Sequence, residues 1–293
     1  MTAGDIELNE PPKDGITSIR FSPTDSHVLA VSSWDKTISV YQVDHNIKQA
    51  EQKHPAPVLA LAFSLDGKFA YSGGLEGVLY SWDRSVKVWK NGALVKTLEQ
   101  PEKVYSVDVM DNHLVVGLAK RLIHIYDISN LDKEPMKRES SLKFMTRKVA
   151  CIPNGKGYAT ASIEGRCSVD FFGSTEEDAA QKFSFKCHRQ KKGEAEYIYP
   201  VNALAYHPKH QQSFATGGGD GVVNIWDGSQ KKRLRQFASY PTSISSLSFN
   251  CTGDLLAIAS SYTFEEGEKD HPPDQLFVKA ISEADVTPKA KTR

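Results

Sequence analysis

The sequence predicts an all-β fold that consists of repeated four-stranded sheets, and three observations support this. Short runs of alternating apolar residues recur along the chain between Gly, Asp, Asn and Pro, which is typical of half-buried strands joined by tight turns. Long stretches with helical periodicity are nearly absent. One pattern of small residues, an acidic residue and alternating apolar positions recurs at 31–43, 71–83, 160–172 and 215–227.

Each recurrence predicts a two-stranded hairpin with a carboxylate in its turn. A short acidic side chain at this place accepts backbone N–H bonds that a tight turn leaves unpaired. Another apolar run precedes each hairpin and a further one follows it, so one unit supplies about four strands. The acidic residues of the four turns are Asp35, Glu76, Glu164 and Asp220.

Units of this kind cannot stand alone, because one sheet cannot bury both of its faces. Four strands in roughly 40 residues are typical of a β-propeller blade, and blades stack around an axis. The chain contains six complete units and a fragment at 84–98. We predict that 6–12 is an outer strand that pairs with the last blade and closes the ring. The predicted domains are a propeller at 6–282 and a disordered tail at 283–293, in which Thr287 precedes a proline as in proline-directed phosphorylation sites.

Composition and motifs argue against several classes of function. The 36 basic and 36 acidic residues leave no net charge to attract nucleic acid or a membrane surface. The four cysteines form no C-x-x-C pair and the histidines of 207–210 lie in a predicted turn, so no metal and no cofactor are expected. No nucleotide-binding, metalloprotease or nucleophile-elbow motif occurs. Without a signal peptide or a long apolar run, the sequence predicts an intracellular protein that is not an enzyme.

The stretch 73–89 fits the repeat in two ways at once. With Glu76 as the turn acid, Trp82 and Asp83 end the third strand of the second unit, whereas with Asp83 as the turn acid they begin the next unit. The interval between the two acids is too short for the intervening strands, since each needs about 4 to 6 residues. We therefore predict that about one blade is missing near 81–85, through a splice variant, an incorrect gene model or a deletion. The hairpin 84–98 is then a surplus outer element.

Several stretches are more specific than the repeat. KRESSLK at 137–143, FKCHR at 185–189 and YPTSI at 240–244 occur in this order, with QPEKVYSV at 100–107 and SIEGR at 162–166. In these stretches the chain resembles the WD-repeat spindle-checkpoint family, the third of the budding-uninhibited-by-benzimidazole class. The resemblance implies a ring of seven blades, so a chain with one blade fewer must close as six, remain open or misfold.

The resemblance also implies a mitotic spindle assembly checkpoint adaptor that recruits checkpoint kinases to unattached kinetochores. The family binds a short acidic segment of these kinases, and Trp34, Arg166 and Arg189 match positions that contact it. A guanidinium binds a carboxylate through two hydrogen bonds, and an indole offers an apolar face. The alternative is structural, with Trp34 covering its blade and Arg166 paired with Glu164.

A second implied site recognises a phosphothreonine in Met-Glu-Leu-Thr repeats of the kinetochore scaffold. Lys209 and Lys232 align with the two basic positions that contact this phosphate, and Lys231 or Arg233 is an alternative to Lys232. Lys232 belongs to the basic stretch 229–237, whose plain interpretation is a solvated loop on a neutral protein.

The nuclear mRNA-export propellers are the nearest related family and provide the alternative function. They share the SIEGR and FKCHR elements and bind a nucleoporin segment. For the checkpoint family, the resemblance implies a nuclear and cytoplasmic protein that joins the kinetochore in mitosis and contacts the inhibitor assembly of the anaphase-promoting complex. No membrane and no direct nucleic-acid contact are expected.

Overall fold

The chain folds into six four-stranded antiparallel sheets, each of which is one blade of a propeller. The computed structural model describes residues 4–63, 66–67, 69–74, 85–90, 93–173 and 175–287. These residues also contain a separate two-stranded hairpin and two short α-helices, α1 (Glu176–Gln181) and α2 (Glu283–Val286).

Within the first five blades, the strands follow one another in the chain from the innermost to the outermost. The first three blades are β2 (Ile16–Phe21), β3 (Val28–Ser33), β4 (Thr37–Gln42) and β5 (Ile47–Lys53); β6 (Val58–Phe63), β7 (Phe69–Gly74), β8 (Ser85–Lys90) and β9 (Ala93–Glu99); and β10 (Val104–Met110), β11 (His113–Leu118), β12 (Leu122–Asp127) and β13 (Met136–Glu139). The next two are β14 (Thr146–Cys151), β15 (Gly157–Ser162), β16 (Arg166–Phe171) and β17 (Phe183–Lys186); and β20 (Val201–Tyr206), β21 (Ser213–Gly218), β22 (Val223–Asp227) and β23 (Lys232–Gln236). Between them lies the hairpin of β18 (Arg189–Lys192) and β19 (Ala195–Ile198).

The sixth blade joins the two ends of the chain. Its strands are β24 (Ile244–Phe249), β25 (Leu255–Ser260), β26 (Gln275–Ala280) and, outermost, β1 (Asp5–Glu7). Ile6 pairs with Val278 in this sheet, which confirms the predicted N-terminal outer strand. Each inner strand contacts the inner strand of the next blade, and β24 contacts β2. The ring is therefore closed with six blades.

Apolar clusters between neighbouring blades form the core. One buried cluster joins the fifth and sixth blades and another joins the sixth and first, as expected for sheets that bury their faces against each other. Polar side chains add contacts between inner strands. Ser246 and Ser248 accept backbone N–H bonds from Ile19 and Phe21 at 3.0 and 2.9 Å, and Ser106 accepts one from Val149 at 3.1 Å.

The second blade differs from one of the two predicted alignments. Its third strand is β8, with Tyr71 of β7 opposite Val88, rather than the stretch 77–83. Strand β9 completes the sheet, so 84–98 is not a surplus element but supplies the outer half of this blade. The alignment that makes Asp83 the turn acid agrees with this register, although Glu76, Trp82 and Asp83 themselves lie outside the described residues.

The tail prediction is wrong for its first residues. Instead of being disordered, 283–286 form α2, which packs against β22 and β23. Val286 is buried and its carbonyl accepts a hydrogen bond from the Ser213 hydroxyl at 2.6 Å. Glu283 and Asp285 pair with His210 and Arg235 at 2.9 and 3.1 Å. These contacts come from distant residues, and a four-residue helix has too little periodicity to be predicted.

Candidate functional site

Strand direction divides the predicted site residues between two rims. Inner strands run from the rim that we call upper to the one that we call lower. Turns between second and third strands, such as that of Trp34, and connections between blades therefore lie on the upper rim. Turns between first and second strands, and between third and fourth strands, lie on the lower rim.

Arg189 and Arg166 meet around Glu164 on the upper rim of the fourth blade. Arg189 donates one hydrogen bond to the Glu164 carbonyl at 2.7 Å and pairs with the Glu196 carboxylate at 3.2 Å. Arg166 lies 3.8 Å from the Glu164 carboxylate, a loose pair that leaves about a third of its side chain exposed. The Nε atom of Arg189 is buried and has no hydrogen-bond partner. Both guanidinium groups thus lie beside Glu164.

Gly165 allows this close approach. Its φ of +64° lies in the left-handed region, and a Cβ atom there would meet the Cys187 carbonyl oxygen at 2.8 Å and the Arg189 side chain at 3.3 Å. A larger residue would therefore push Arg189 away from the turn.

Trp34 lies on the same rim but in the first blade. Its backbone N–H bonds the Gly15 carbonyl at 3.0 Å, and its side chain packs over Gly15, where a Cβ atom would lie 3.2 Å from the indole. The residue is 37% exposed although it is the largest apolar type. The structure therefore places an accessible indole at the mouth of the central channel, away from the two arginines.

Other apolar side chains are exposed on this rim as well. Large exposed apolar groups concentrated on one face indicate an interaction surface. Six of the nine that are exposed in the described part of the chain lie on the upper rim: Trp34, Phe144, Ile163, Tyr197, Ile198 and Phe264.

Lys209 and Lys232 lie on the opposite, lower rim of the fifth blade, and both are exposed. Lys209 is in the turn after the inner strand β20, whereas Lys232 begins the outermost strand β23. The blade is four strands wide, which separates their backbones by roughly 14 Å. The structure thus does not bring them together, and the phosphate site stays a prediction. Of the alternatives, Lys231 covers the Phe183 ring at 4.9 Å and Arg233 donates to Asn224 at 3.4 Å.

His188, Asp220 and Thr216 form a chain of hydrogen bonds that resembles a catalytic triad. The two histidine nitrogens lie 2.9 Å from Asp220 Oδ1 and 2.8 Å from Thr216 Oγ1, and Trp226 Nε1 donates to the same hydroxyl at 2.8 Å. The side chains of His188 and Asp220 are 0% and 6% exposed, so no substrate reaches them. The network holds the upper turn of the fifth blade to its strands, and Asp220 also accepts the Val222 N–H at 3.3 Å.

A mouth of the central channel, absent from the sequence prediction, opens on the upper rim. In all six blades the register between the first two strands shifts after the first residue of the inner strand. Each shift is a β-bulge that re-aims one side chain. The six bulged residues all line one cavity: Thr17, Leu59, Tyr105, Arg147, Asn202 and Ser245. Sequence patterns do not reveal them, because a bulge depends on strand pairing.

The described residues contain no group of three or more His, Cys, Asp or Glu side chains placed to hold a metal ion. None of the described helices is long and apolar enough to cross a membrane.

Known protein families include one that has the predicted repeat. The model of the family described as "WD domain, G-beta repeat" matches residues 7–42, 47–90 and 183–227 of this chain. Solved structures of U3-55K and of the RRP9 WD40 repeats superpose with a TM-score of 0.68 at 14% identity, covering 94% and 95% of this chain and 98% of each of theirs. At this identity the likeness concerns the fold alone.

Curated relatives are much closer in sequence. Mitotic checkpoint protein BUB3.1 of Arabidopsis thaliana is 44% identical over 326 residues, which covers 97% of this chain and 95% of the relative. Mitotic checkpoint protein bub3 of Dictyostelium discoideum is 37% identical, with 96% of both chains covered. The Poly(A)+ RNA export protein of Schizosaccharomyces pombe is 32% identical, covering 98% of this chain and 93% of the relative.

The length of the alignment with BUB3.1 of Arabidopsis thaliana bears on the predicted missing blade. It spans 326 positions, whereas this chain has 293 residues, and the excess approaches one WD repeat of about 40 residues. The sequence stretches, the closed ring of blades and the identity to checkpoint relatives over nearly the whole length agree. The chain therefore belongs to the BUB3 class of WD-repeat proteins.

Proposed function

We propose that this protein is a non-catalytic adaptor of the mitotic spindle assembly checkpoint whose upper rim binds a short acidic segment of checkpoint kinases. The observation that carries the proposal is the pair of adjacent guanidinium groups of Arg166 and Arg189. A carboxylate of the segment would replace Glu196 on the guanidinium of Arg189 and the weak contact of Arg166 with Glu164. Relatives with checkpoint names support the role.

The exposed apolar groups of the same rim provide the rest of the surface. An acidic segment that also carries aromatic or aliphatic residues would place them against Trp34 and against Ile163 or Tyr197. Apolar anchors of this kind supply most of the binding energy of a peptide, while charged pairs fix its register.

We further propose that Lys209 and Lys232 bind phosphothreonine in Met-Glu-Leu-Thr repeats of the kinetochore scaffold, so that the adaptor recruits kinases to unattached kinetochores. The separation of the two side chains favours one cation on the phosphate and the other on a neighbouring acidic residue of the repeat. Because the lysines lie on the lower rim, a scaffold repeat and a kinase segment would bind at the same time. The proposed localisation is nuclear and cytoplasmic, with kinetochore binding in mitosis.

Calorimetry with the acidic segment of a checkpoint kinase tests the first site. Arg189→Ala should weaken binding roughly 10-fold or more, the size of effect found for central arginines. Lys209→Glu serves as the control on the opposite rim and should leave this affinity unchanged. Equal binding by the Arg189 and Lys209 variants would contradict the proposed segment site.

The second site is tested with a scaffold peptide in phosphorylated and unphosphorylated forms. Phosphorylation should increase affinity, more so at low salt. Lys209→Glu combined with Lys232→Glu should remove the difference, while Arg166→Glu, as the reciprocal control, should retain it. If both peptide forms bound equally well, the checkpoint proposal would lose its phosphate-dependent part.

A role in mRNA export is the second candidate. The identity to export proteins of Schizosaccharomyces pombe and of Chaetomium thermophilum, 32% and 34%, favours it. This alternative predicts that the acidic segment of a nucleoporin binds more tightly than that of the kinase. A direct competition between the two segments for the upper rim decides between the two functions.

A further inference from the structure

We propose that the mouth of the central channel is a binding pocket for a small organic carboxylate. The pocket has a volume of about 510 Å³, within the usual range of small-molecule sites. Every blade contributes its bulged residue to the lining. The pocket is thus a product of ring closure and is separate from the arginine pair of the fourth blade.

Two neighbouring cations of β14 give the pocket its charge. Arg147 and Lys148 both line it, and Lys148 is only 4% exposed. Arg147 donates from Nε to the neutral amide oxygen of Asn202 at 3.1 Å. No ion pair of either cation is found in the part of the chain that the structure describes. Buried charges are normally paired, so an anion is the missing partner.

Among the lining residues, Asp14 is an exposed carboxylate that accepts the N–H of Gly15 at 2.7 Å. Two further carboxylates nearby are committed to other groups. Asp108 binds Arg20 and the Cys151 N–H, at 2.9 and 2.6 Å. Glu265 accepts hydrogen bonds from the hydroxyls of Ser243 and Thr263 at 2.6 and 2.5 Å. Burial, and then the charge of Arg20, lower the pKa of the Lys148 amine to about 7. This direction is the expected result for a lysine without a carboxylate in contact, and a carboxylate bound beside the amine would raise the pKa again and keep the amine protonated.

The hydroxyl of Ser245 has no hydrogen-bond partner, which favours the same class of ligand. Ser245 is 7% exposed, lines the pocket, and its Oγ atom has no hydrogen-bond partner. A buried hydroxyl without a partner costs about 1 to 3 kcal/mol. A carboxylate oxygen in the pocket would accept its hydrogen bond together with those of the two cations.

The lining also holds polar residues, namely Asp14, Thr17, Asn202, Ser261 and Thr263, but its large side chains are apolar and aromatic, and these suit a flat apolar body of the ligand. Leu59, Tyr105, Trp34 and Phe264 surround the opening. Phe264 has a φ of +56°, a conformation that bulky residues rarely adopt, and its ring packs 5.2 Å from that of Tyr262. A singly charged acid with a flat apolar body fits this lining better than a compact dianion such as phosphate.

Benzoate is the probe, titrated into the full chain without any partner and followed by calorimetry and thermal shift. Benzamide, which has the same shape without the charge, and inorganic phosphate are the comparison compounds. Benzoate should bind saturably and at least 10-fold more tightly than either. Equal binding of benzamide, or no saturable binding of benzoate in the millimolar range, would overturn the proposal.

Two variants locate the probe. Lys148→Met should weaken benzoate at least 10-fold and Ser245→Ala several-fold, while Lys143→Met, an exposed lysine of the preceding connection, should change nothing. Retained affinity in both pocket variants would exclude the pocket as the site. Since no partner is present, this result does not depend on the proposed checkpoint function.

The carboxylate belongs either to a free metabolite or to an acidic side chain of the docked segment. A competition experiment between benzoate and the kinase segment distinguishes these two sources. Saturation with the kinase segment should abolish benzoate binding if a segment carboxylate fills the pocket, and Lys148→Met should then weaken the segment too. A free acid as the natural ligand predicts that benzoate and segment bind together. Both outcomes retain the carboxylate pocket and assign its source.

Discussion

Arg20 of the first blade reaches across the inner strand of the second blade to bind Asp108 of the third, with guanidinium and carboxylate 2.9 Å apart. On its way Arg20 also donates to the carbonyls of Leu61 and Val107 at 3.1 and 3.4 Å. Asp108 in turn accepts the N–H of Cys151 in the fourth blade at 2.6 Å. Two side chains thus connect four consecutive blades around the channel.

We expect Asp108→Ala to destabilise the ring by about 2 to 4 kcal/mol, since it leaves a largely buried guanidinium unpaired. Urea unfolding measures this loss. The matched control is Asp132→Ala, which removes the exposed pair with Lys96 and should cost less than about 1 kcal/mol. Equal losses of unfolding free energy in the two variants would show that the ion pair of Arg20 and Asp108 stabilises the ring no more than an exposed pair does.

Lys148→Met should stabilise the protein, and the gain should depend on pH. The pKa of Lys148 is lowered to about 7 in the folded state, whereas an unfolded lysine titrates near 10.4. Between these values the unfolded chain holds the extra proton, so the stability of the parent rises with pH. The variant lacks this dependence.

The gain of Lys148→Met should therefore be about 2 to 4 kcal/mol at pH 6 and should decline as the pH rises from about 7 towards 10. Chemical unfolding at several pH values measures it. A gain that stayed constant from pH 6 to pH 10 would mean that the amine does not titrate in this window.

Thr216→Val should destabilise the fifth blade, because its hydroxyl joins His188 to Trp226. The substitution keeps the shape but leaves the buried imidazole of His188 and the part-buried indole N–H of Trp226 unsatisfied, at a cost of about 2 to 4 kcal/mol. Thr97→Val, at an exposed strand position, is the control and should be nearly neutral. Thermal unfolding followed by tryptophan fluorescence compares them, and an unchanged midpoint for Thr216→Val would remove the structural role assigned to this network.

The duplicated motif near 81–85 makes a prediction about the gene. A longer transcript should carry an additional segment of roughly 40 residues, one WD repeat, at this position. Full-length transcript sequencing would reveal it. Uninterrupted genomic sequence across the junction, with no room for further coding sequence, would contradict a splice variant and an incorrect gene model and leave a true deletion.

Local features of the fold could be predicted because they depend on neighbouring residues. Asp35 accepts the N–H of Thr37 at 2.9 Å, as the turn pattern predicts. The assignment of the third strand in the second blade could not be decided, because 77–83 and β8 have the same alternation and only pairing with β7 selects one. The closure of six blades was likewise open, since it depends on the fit of all the inner strands together.

The candidate site was predictable in residue type but not in arrangement. FKCHR and SIEGR pointed to Arg189 and Arg166, and the structure brings these two together. The sequence gives no signal for Arg147 and Lys148. Arg147 lines the pocket because of a β-bulge, and the pocket itself forms only when residues of the other blades surround both side chains. The distance between Lys209 and Lys232 depends on the width of a sheet, which a linear pattern does not contain.

The pairing of β1 with β26 makes the order of synthesis matter. Ile6 is synthesised well before its partner Val278, so the ring stays open until the sixth blade has been made. Until then β1 and the apolar face of the first blade have no partner, and such unpaired edges and faces recruit other chains. Completion of the last blade is therefore the step at which a nascent chain either becomes a soluble platform or requires a chaperone.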